Sequence, residues 1–177
     1  MPPRGQINNV MDRELHIVGF RVGRETYGVP ITSLHEIVRV PEITAVPDAP
    51  TYMEGVINLR GKIVSVIDLR KRFAEKSIDQ GRQNRILVVE HNGRLAGLIV
   101  DSASEVLKIH TSDVEPPPAT FQDGGLNCVT GLGKYQGRLI VLLDMGKLLE
   151  YSGMRQGKQS SEANAKSAET RGASAGR

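Results

Sequence analysis

The stretch GVINLRGKIVSVIDLRKRF, Gly55 to Phe73, decides the reading of this chain, because a weaker copy, GLGKYQGRLIVLLDMGKLL, returns at Gly131 to Leu149. Each copy carries two glycines six residues apart, a basic residue after the second, an apolar run, an aspartate and an amphipathic turn. Gly55, Gly61, Lys62 and Asp68 thus correspond to Gly131, Gly137, Arg138 and Asp144 at a constant offset of 76. Upstream the offset is 69, where Ile17, Gly28, Glu36, Ile37, Val40 and Pro47 meet Ile86, Gly97, Glu105, Val106, Ile109 and Pro116. The difference is an insertion in the second copy, in ATFQDGGLNCVT between Pro118 and Gly131. Self-similarity of this kind marks a repeated structural unit, here two like halves at about residues 15–73 and 84–151.

Each half reads as strands. Short runs rich in Val and Ile (Ile17 to Val22, Ile63 to Ile67, Ile86 to Glu90, Leu95 to Val100, Leu139 to Leu143) are separated by Gly, Asn and Asp turns. His91-Asn92-Gly93-Arg94 is the clearest hairpin turn, since Asn-Gly tolerates the positive φ of a two-residue connection. Helix is expected only at Leu69 to Phe73 and Met145 to Tyr151, each after an aspartate suited to cap the first amides, Asp68 or Asp144. The expected class is all-β, each half a small closed barrel.

With 177 residues the chain is near the size of one domain or a fused pair of small ones. From Ser152 onward it is Ser, Ala, Gly, Gln, Lys and Glu with no apolar side chain larger than Met154, a composition that cannot offset the entropy of ordering. Residues 1–13 are similarly weak, so a body at 14–151 is expected between a flexible N-terminal tail (1–13) and a disordered C-terminal one (152–177).

The tails also hold the charge. Of the formal +3, residues 1–13 carry +1 and residues 152–177 carry +3, leaving the body at −1. A pI near 9.1 therefore does not signify a basic fold, and the continuous basic surface that nucleic-acid binding requires is missing. One local cluster, Arg60, Lys62, Arg70, Lys71 and Arg72, keeps a small-barrel single-stranded nucleic-acid binder as the alternative function. With no Trp, and three Phe and four Tyr scattered along the chain, no stacking platform accompanies it.

No apolar run reaches the roughly 18 residues of a membrane span, and no secretory signal pattern opens the chain. An intracellular protein without direct membrane insertion is expected. Cys128 is the only cysteine and is read as an unreactive loop thiol. The four histidines, His16, His35, His91 and His110, show no metal-ligand spacing, so no metal and no cofactor is expected. Gly131-Leu132-Gly133-Lys134 matches no phosphate-loop spacing and reads as a barrel corner. Asp68, Asp101 and Asp144 could be offered as the carboxylates of a hydrolase, but two of them recur at strand ends, where capping explains them. No catalytic residue is assigned. Glu36 and Arg60 are charged residues embedded in apolar sequence, and arginine's planar fork suits a carboxylate partner; the alternative is that both point to water.

GVINLRGKIVSVIDLRKRF, with Tyr27-Gly28-Val29 and His35-Glu36-Ile37 upstream, resembles the CheW family of chemotaxis coupling proteins. The resemblance covers about Leu15 to Tyr151 and includes Gly97-Leu98-Ile99-Val100-Asp101, Glu115 to Pro118, Thr130-Gly131-Leu132-Gly133 and Asp144 to Leu149. Two positions depart from it: Ser65 stands where proline is common, and Pro30 where a polar residue is frequent. The resemblance implies two intertwined five-stranded, SH3-like barrels with short helices. It implies no enzyme but a cytoplasmic adaptor, recruited to receptor arrays at the inner face of the membrane. Its partners there would be the chemoreceptor cytoplasmic tip and the regulatory domain of the histidine kinase CheA. The implied receptor groove comprises Ile31, Leu34, Glu36, Ile37, Gly55, Arg60, Gly61, Gly97, Ala103 and Val106, with Glu36 and Arg60 as the pair that shapes it. Phe121 is the candidate for a kinase interface.

Overall fold

The computed structural model describes residues 13–76, 81–123 and 126–150. The two expected tails, apart from Arg13, lie outside the described residues. Eleven strands follow in chain order: β1 Glu14–Val22, β2 Glu25–Pro30, β3 Leu34–Arg39, β4 Met53–Leu59, β5 Lys62–Asp68, β6 Arg85–His91, β7 Arg94–Val100, β8 Ser102–His110, β9 Val114–Glu115, β10 Val129–Tyr135 and β11 Arg138–Leu143. Short helices are α1 Leu69–Arg72, α2 Ala119–Asp123 and α3 Met145–Glu150, with single 3-10 turns at Ile31–Ser33 and Thr111–Asp113. The sequence pattern anticipates α1 and α3 and misses α2, which lies in the longer connection of the second half.

The strands form a six-stranded sheet, β8-β1-β2-β11-β10-β9, and a five-stranded sheet, β3-β6-β7-β5-β4. Both mix the halves of the chain, since β1 and β2 pair into a sheet otherwise built from the second half, and β6 and β7 into one otherwise built from the first. The registers correspond through the offsets read from the sequence. Gly19 opposite Gly28 in β1–β2 matches Val88 opposite Gly97 in β6–β7. Met53 opposite Ile67 and Gly55 opposite Val66, with a bulge between, match Val129 opposite Leu143 and Gly131 opposite Leu142, again with a bulge. The parallel pairs agree as well: Val66 opposite Gly97 in β5–β7 matches Leu142 opposite Gly28 in β11–β2.

Neither sheet closes through backbone pairing among the described residues, so the architecture is two sheets rather than two closed five-stranded barrels. Each nevertheless curls. Val38 of β3 and Ile57 of β4, on opposite edges of the five-stranded sheet, share a cluster with Val64, Val66, Ile86, Val88 and Ile99. In the six-stranded sheet Leu107 and Ile109 of β8 share one with Ile140, Leu142 and Val114 of β9. A third cluster, the largest, lies between the sheets and includes Phe20, Tyr27, Ile67, Leu87, Val89, Leu98, Val141 and Leu148.

The period of two along a strand explains how one sequence fills three cores. In β6, Ile86 and Val88 enter the core of their own sheet while Leu87 and Val89 enter the one between the sheets. A strand covered on both faces reads as a continuous apolar run, which is why β6, β7 and β11 are plain in the sequence. The edge strand β3 instead alternates, with Leu34, Glu36 and Val38 half-buried and His35, Ile37 and Arg39 exposed. Each fully buried Val, Leu or Ile contributes about 1.5–3 kcal/mol relative to exposure.

Gly131-Leu132-Gly133-Lys134 is not a corner. It lies inside β10, where Gly133 opposes Val114 and a Cβ at Gly131 would stand 2.8 Å from Val114 Cγ1. The small residues admit β9 alongside. Tight turns at Arg60-Gly61, Asn92-Gly93 and Gln136-Gly137 have positive φ at both residues, as one kind of two-residue hairpin connection requires, while Gly23-Arg24 between β1 and β2 has it at the glycine alone.

Candidate protein-binding site

Glu36 lies on β3 beside a register shift, and Arg60 is the first residue of the turn between β4 and β5. These elements belong to opposite edges of the five-stranded sheet. Arg60 Nη2 donates to Glu36 Oε2 at 3.0 Å, so a side-chain bond joins the edges where no backbone pair does. Glu36 is the more enclosed partner, its side chain 19 % exposed against 78 % for Arg60. The other carboxylate oxygen, Oε1, is buried and makes no hydrogen bond; His35 Nε2 is 3.9 Å from it. The six-stranded sheet has the counterpart, since Arg138 Nη2 donates to Glu105 Oε1 at 2.8 Å, from the start of β11 to the edge strand β8. Sequence reasoning singles out Glu36 and Arg60 but misses this second pair, although the offset of 69 maps Glu36 onto Glu105.

Next to each ion pair in the chain stand exposed apolar side chains. Ile37 (42 % exposed) follows Glu36, and Ile63 (69 %) lies three residues beyond Arg60. Val106 (56 %) follows Glu105, and Leu139 (47 %) follows Arg138. Ile63 and Leu139 are hidden in the sequence because each is the second residue of a strand whose later residues are core. The signal was available: in both copies the residue follows the basic side chain after the turn glycine.

The remaining groove residues separate by environment. Ile31, Leu34 and Ala103 are partly buried and pack against the core between the sheets. Gly61 is exposed at its turn, with nothing near the position of a Cβ. Gly55 and Gly97 are interior rather than open to a partner. At Gly55 a Cβ would meet Thr44 O at 2.0 Å, and at Gly97 it would meet Ile86 Cγ2 at 2.8 Å. Thr44 and Val56 exchange backbone hydrogen bonds of 2.9 Å, so the chain's own segment covers β4 there. Phe121, on α2, is half-buried and packs against the core between the sheets.

Most of the basic cluster of the nucleic-acid alternative is engaged within the chain, Arg60 by Glu36 as above. Arg70 is 2 % exposed and holds Asp68, itself 1 % exposed, through Nη2 to Oδ2 at 2.8 Å and Nε to Oδ1 at 2.9 Å. That hydrogen bonding raises the arginine's pKa, against the opposing effect of burial. Asp101 Oδ1 stands 3.5 Å from Arg70 Nη1. Lys71 pairs with Glu54, and Arg72 lies over the Tyr52 ring, 5.5 Å from its centre.

The aspartates offered as hydrolytic carboxylates have structural work. Asp68 caps α1 by accepting from Arg70 N, Asp144 accepts from Lys147 N, and Asp101 accepts from Gly23 N at 2.7 Å. Burial pushes the Cys128 thiol up in pKa, away from the thiolate a nucleophile needs. Among the described residues no group of three or more His, Cys, Asp or Glu is placed to hold a metal, and no helix is long and apolar enough to cross a membrane.

A family model described as a CheW-like domain matches residues 16–152. The chain is 38% identical over 136 residues to the chemotaxis protein CheW of Helicobacter pylori, covering 77% of this chain and 82% of that one. It is 34% identical over 130 residues to CheW of Klebsiella aerogenes, covering 73% and 78%. A crystal structure of the scaffolding protein TtCheW from Thermoanaerobacter tengcongensis superposes with a TM-score of 0.71 at 38% identity, over 80% of this chain and 96% of that one.

Proposed function

The chain belongs to the CheW family, and from that premise we propose that it joins chemoreceptor cytoplasmic tips to the regulatory domain of the histidine kinase CheA. It is an adaptor without chemistry of its own, and its mechanism is binding. The observation that carries the reading to particular residues is the Glu36–Arg60 bond across the edges of one sheet, with Ile37 exposed beside it. Apolar groups at such a surface supply desolvation, and the ion pair fixes orientation and excludes wrong partners. The receptor groove comprises Ile31, Leu34, Glu36, Ile37, Arg60, Gly61, Ala103 and Val106, while Gly55 and Gly97 support it from inside. Phe121 anchors the segment offered to the kinase. The body at 14–151 does this work in the cytoplasm, recruited to receptor arrays, and the tails at 1–13 and 152–177 stand outside it.

The matched registers support a further reading of the fold. An internal duplication produced two interlocked barrels, closed at their edges by Glu36–Arg60 and Glu105–Arg138 rather than by backbone pairing.

A pull-down with the full chain tests the function. Purified CheA and a chemoreceptor cytoplasmic fragment are both expected to be retained, and retention of neither would remove the proposal. Ile37→Asp is expected to lose the receptor fragment, keep CheA and melt unchanged. Ile37 is the better probe than Leu34, whose half-buried side chain packs on the core, so that Leu34→Asp lowers the melting temperature as well.

A further inference from the structure

Away from both ion pairs, Arg39 at the end of β3 stands directly opposite Arg85 of β6. Like charges so placed repel. Arg85 is held by neutral groups, its Nη1 donating to the carbonyls of Arg82 at 2.9 Å and Asn84 at 2.8 Å. Among the described residues neither Arg39 nor Arg82 has a carboxylate in ion-pair contact. The equivalent place in the six-stranded sheet is different. There His16 opposes Lys108, and Glu14 Oε2 is 3.6 Å from His16 Nε2. One copy of the strand pair carries its own carboxylate, and the other presents unneutralised cations.

Arg39 and Arg82 line a concave surface. A hollow of about 670 Å³ is bounded by Arg39, Val40 and Arg82. It adjoins a second of about 560 Å³, which shares Arg82 and adds Arg21 and Asp101. Asp101, the one carboxylate among the described lining residues, is already engaged by Gly23 N and Arg70. Arg21 Nη2 is satisfied by a neutral acceptor, Gly23 O at 3.3 Å.

We propose that this groove binds an acidic peptide segment of a partner protein, a run bearing several carboxylates. Guanidinium groups take carboxylates through paired hydrogen bonds. Here they are spread along two adjoining hollows rather than converging on one point, which suits successive carboxylates on a chain better than a single phosphate. Val40, 38 % exposed beside Arg39, offers apolar contact to the same chain. Among the described residues no aromatic ring lines either hollow, so bases have nothing there to stack on. The site goes beyond the receptor and kinase surfaces proposed above and does not depend on them.

A fluorescein-labelled hexaglutamate peptide, titrated with the full chain and followed by anisotropy, tests the assignment. Saturable, salt-sensitive binding is expected. Arg39→Glu and Arg82→Glu should each weaken it by about tenfold or more, as loss and reversal of a charged contact do, while Lys108→Glu leaves it unchanged. Arg39→Glu should melt no lower than the parent, because it relieves the repulsion with Arg85, and Arg82→Glu alters an exposed turn. No saturable binding, or equal weakening by Lys108→Glu, overturns the proposal. So does capture by phosphatidylserine vesicles or by inorganic phosphate without peptide binding. CheA and receptor retention by the same variants separates this outcome from failure of the adaptor reading.

Discussion

The two helix starts that follow β5 and β11 occupy equivalent places and are built differently. At α1, Asp68 caps the helix and is clasped by Arg70, both almost wholly buried. At α3, Asp144 makes the same kind of cap through Lys147 N, but the position equivalent to Arg70 is Gly146, and a Cβ there would stand 3.2 Å from His91 Nε2. The caps maintain the shared fold, and the buried arginine is an addition to one copy. It ties α1 to Asp101 just after β7, and Asp101 in turn accepts from Gly23 N in the β1–β2 turn. The addition thus links the five-stranded sheet to the six-stranded one. Equivalent positions carry what both sheets need in order to fold, and the departures carry what distinguishes them.

The largest effect should come from breaking that addition. Arg70→Ala leaves the Asp68 carboxylate buried without its partner, a loss of about 3–5 kcal/mol. Asp144→Ala, at the cap that lacks an arginine, should cost about 1 kcal/mol. Denaturant titration of both variants checks the contrast. Equal losses would mean that the arginine contributes no more than a surface charge.

The next contrast is between the bulge glycines. Gly55 has φ 142°, and an added Cβ would meet backbone, Thr44 O at 2.0 Å. Gly131 lacks a positive φ, and its neighbours would be a valine methyl at 2.8 Å and, less closely, Glu115 O at 3.1 Å. Gly55→Ala combines backbone strain with overpacking and should cost about 3 kcal/mol, against about 1 kcal/mol for Gly131→Ala, where a side chain can shift. Melting temperatures falling in the opposite order would show that the Thr44 segment moves aside freely.

The sequence shows why so much of this symmetry was legible before the structure. Turn pairs such as Asn92-Gly93 and double-covered strands such as β6 leave local signatures, and the halves repeat them at fixed spacing. What escaped depends on contacts distant in sequence. That β1 and β2 join the strands of the second half cannot be read from periodicity, because period and polarity are the same whichever sheet receives them. Arg70 looked like one more member of a basic run, since nothing local reveals that its side chain turns inward to Asp68. Gly55 and Gly97 looked like open approaches to a groove, because a glycine reports a close neighbour without saying whether the neighbour is a partner or the chain itself. Glu36 and Arg60 stood out because charge interrupted apolar sequence on both sides.

Tyr27 and its counterpart Ala96 provide a contrast in pH dependence. Tyr27 stacks between Phe20 and Phe73 in the core between the sheets. Burial, with help from Glu75 and Glu25, raises its phenol from 10.0 to about 12. A raised folded pKa means that between pH 10 and 12 the unfolded chain releases the proton first. Stability is therefore intact below pH 10 and falls as pH rises towards 12, by about 2–3 kcal/mol for a shift of this size. Tyr27→Phe should remove that part of the alkaline loss while changing stability little at neutral pH. An unchanged alkaline profile in the variant would assign the loss to other groups.

The smallest effect distinguishes the two edge ion pairs. Glu36 is more enclosed than Glu105, whose side chain is 40 % exposed beside an Arg138 at 47 %. Pairs with an exposed partner are worth roughly 0–1 kcal/mol, so a double-mutant cycle should give a coupling of about 1 kcal/mol for Glu36 and Arg60, and about 0.3 kcal/mol for Glu105 and Arg138. The single variants should diverge further. Glu36→Ala removes the buried oxygen that has no hydrogen-bond partner, whereas Arg60→Ala leaves both carboxylate oxygens without one, so Arg60→Ala should be the more destabilising although arginine is the more exposed residue. If Glu36→Ala proves the more damaging, the carboxylate has a further partner in solution. In receptor and CheA retention assays Arg60→Ala should weaken binding beyond what its small stability loss explains. Arg138→Ala, made and assayed in parallel, shows whether the two edges divide the partners between them or only one edge binds.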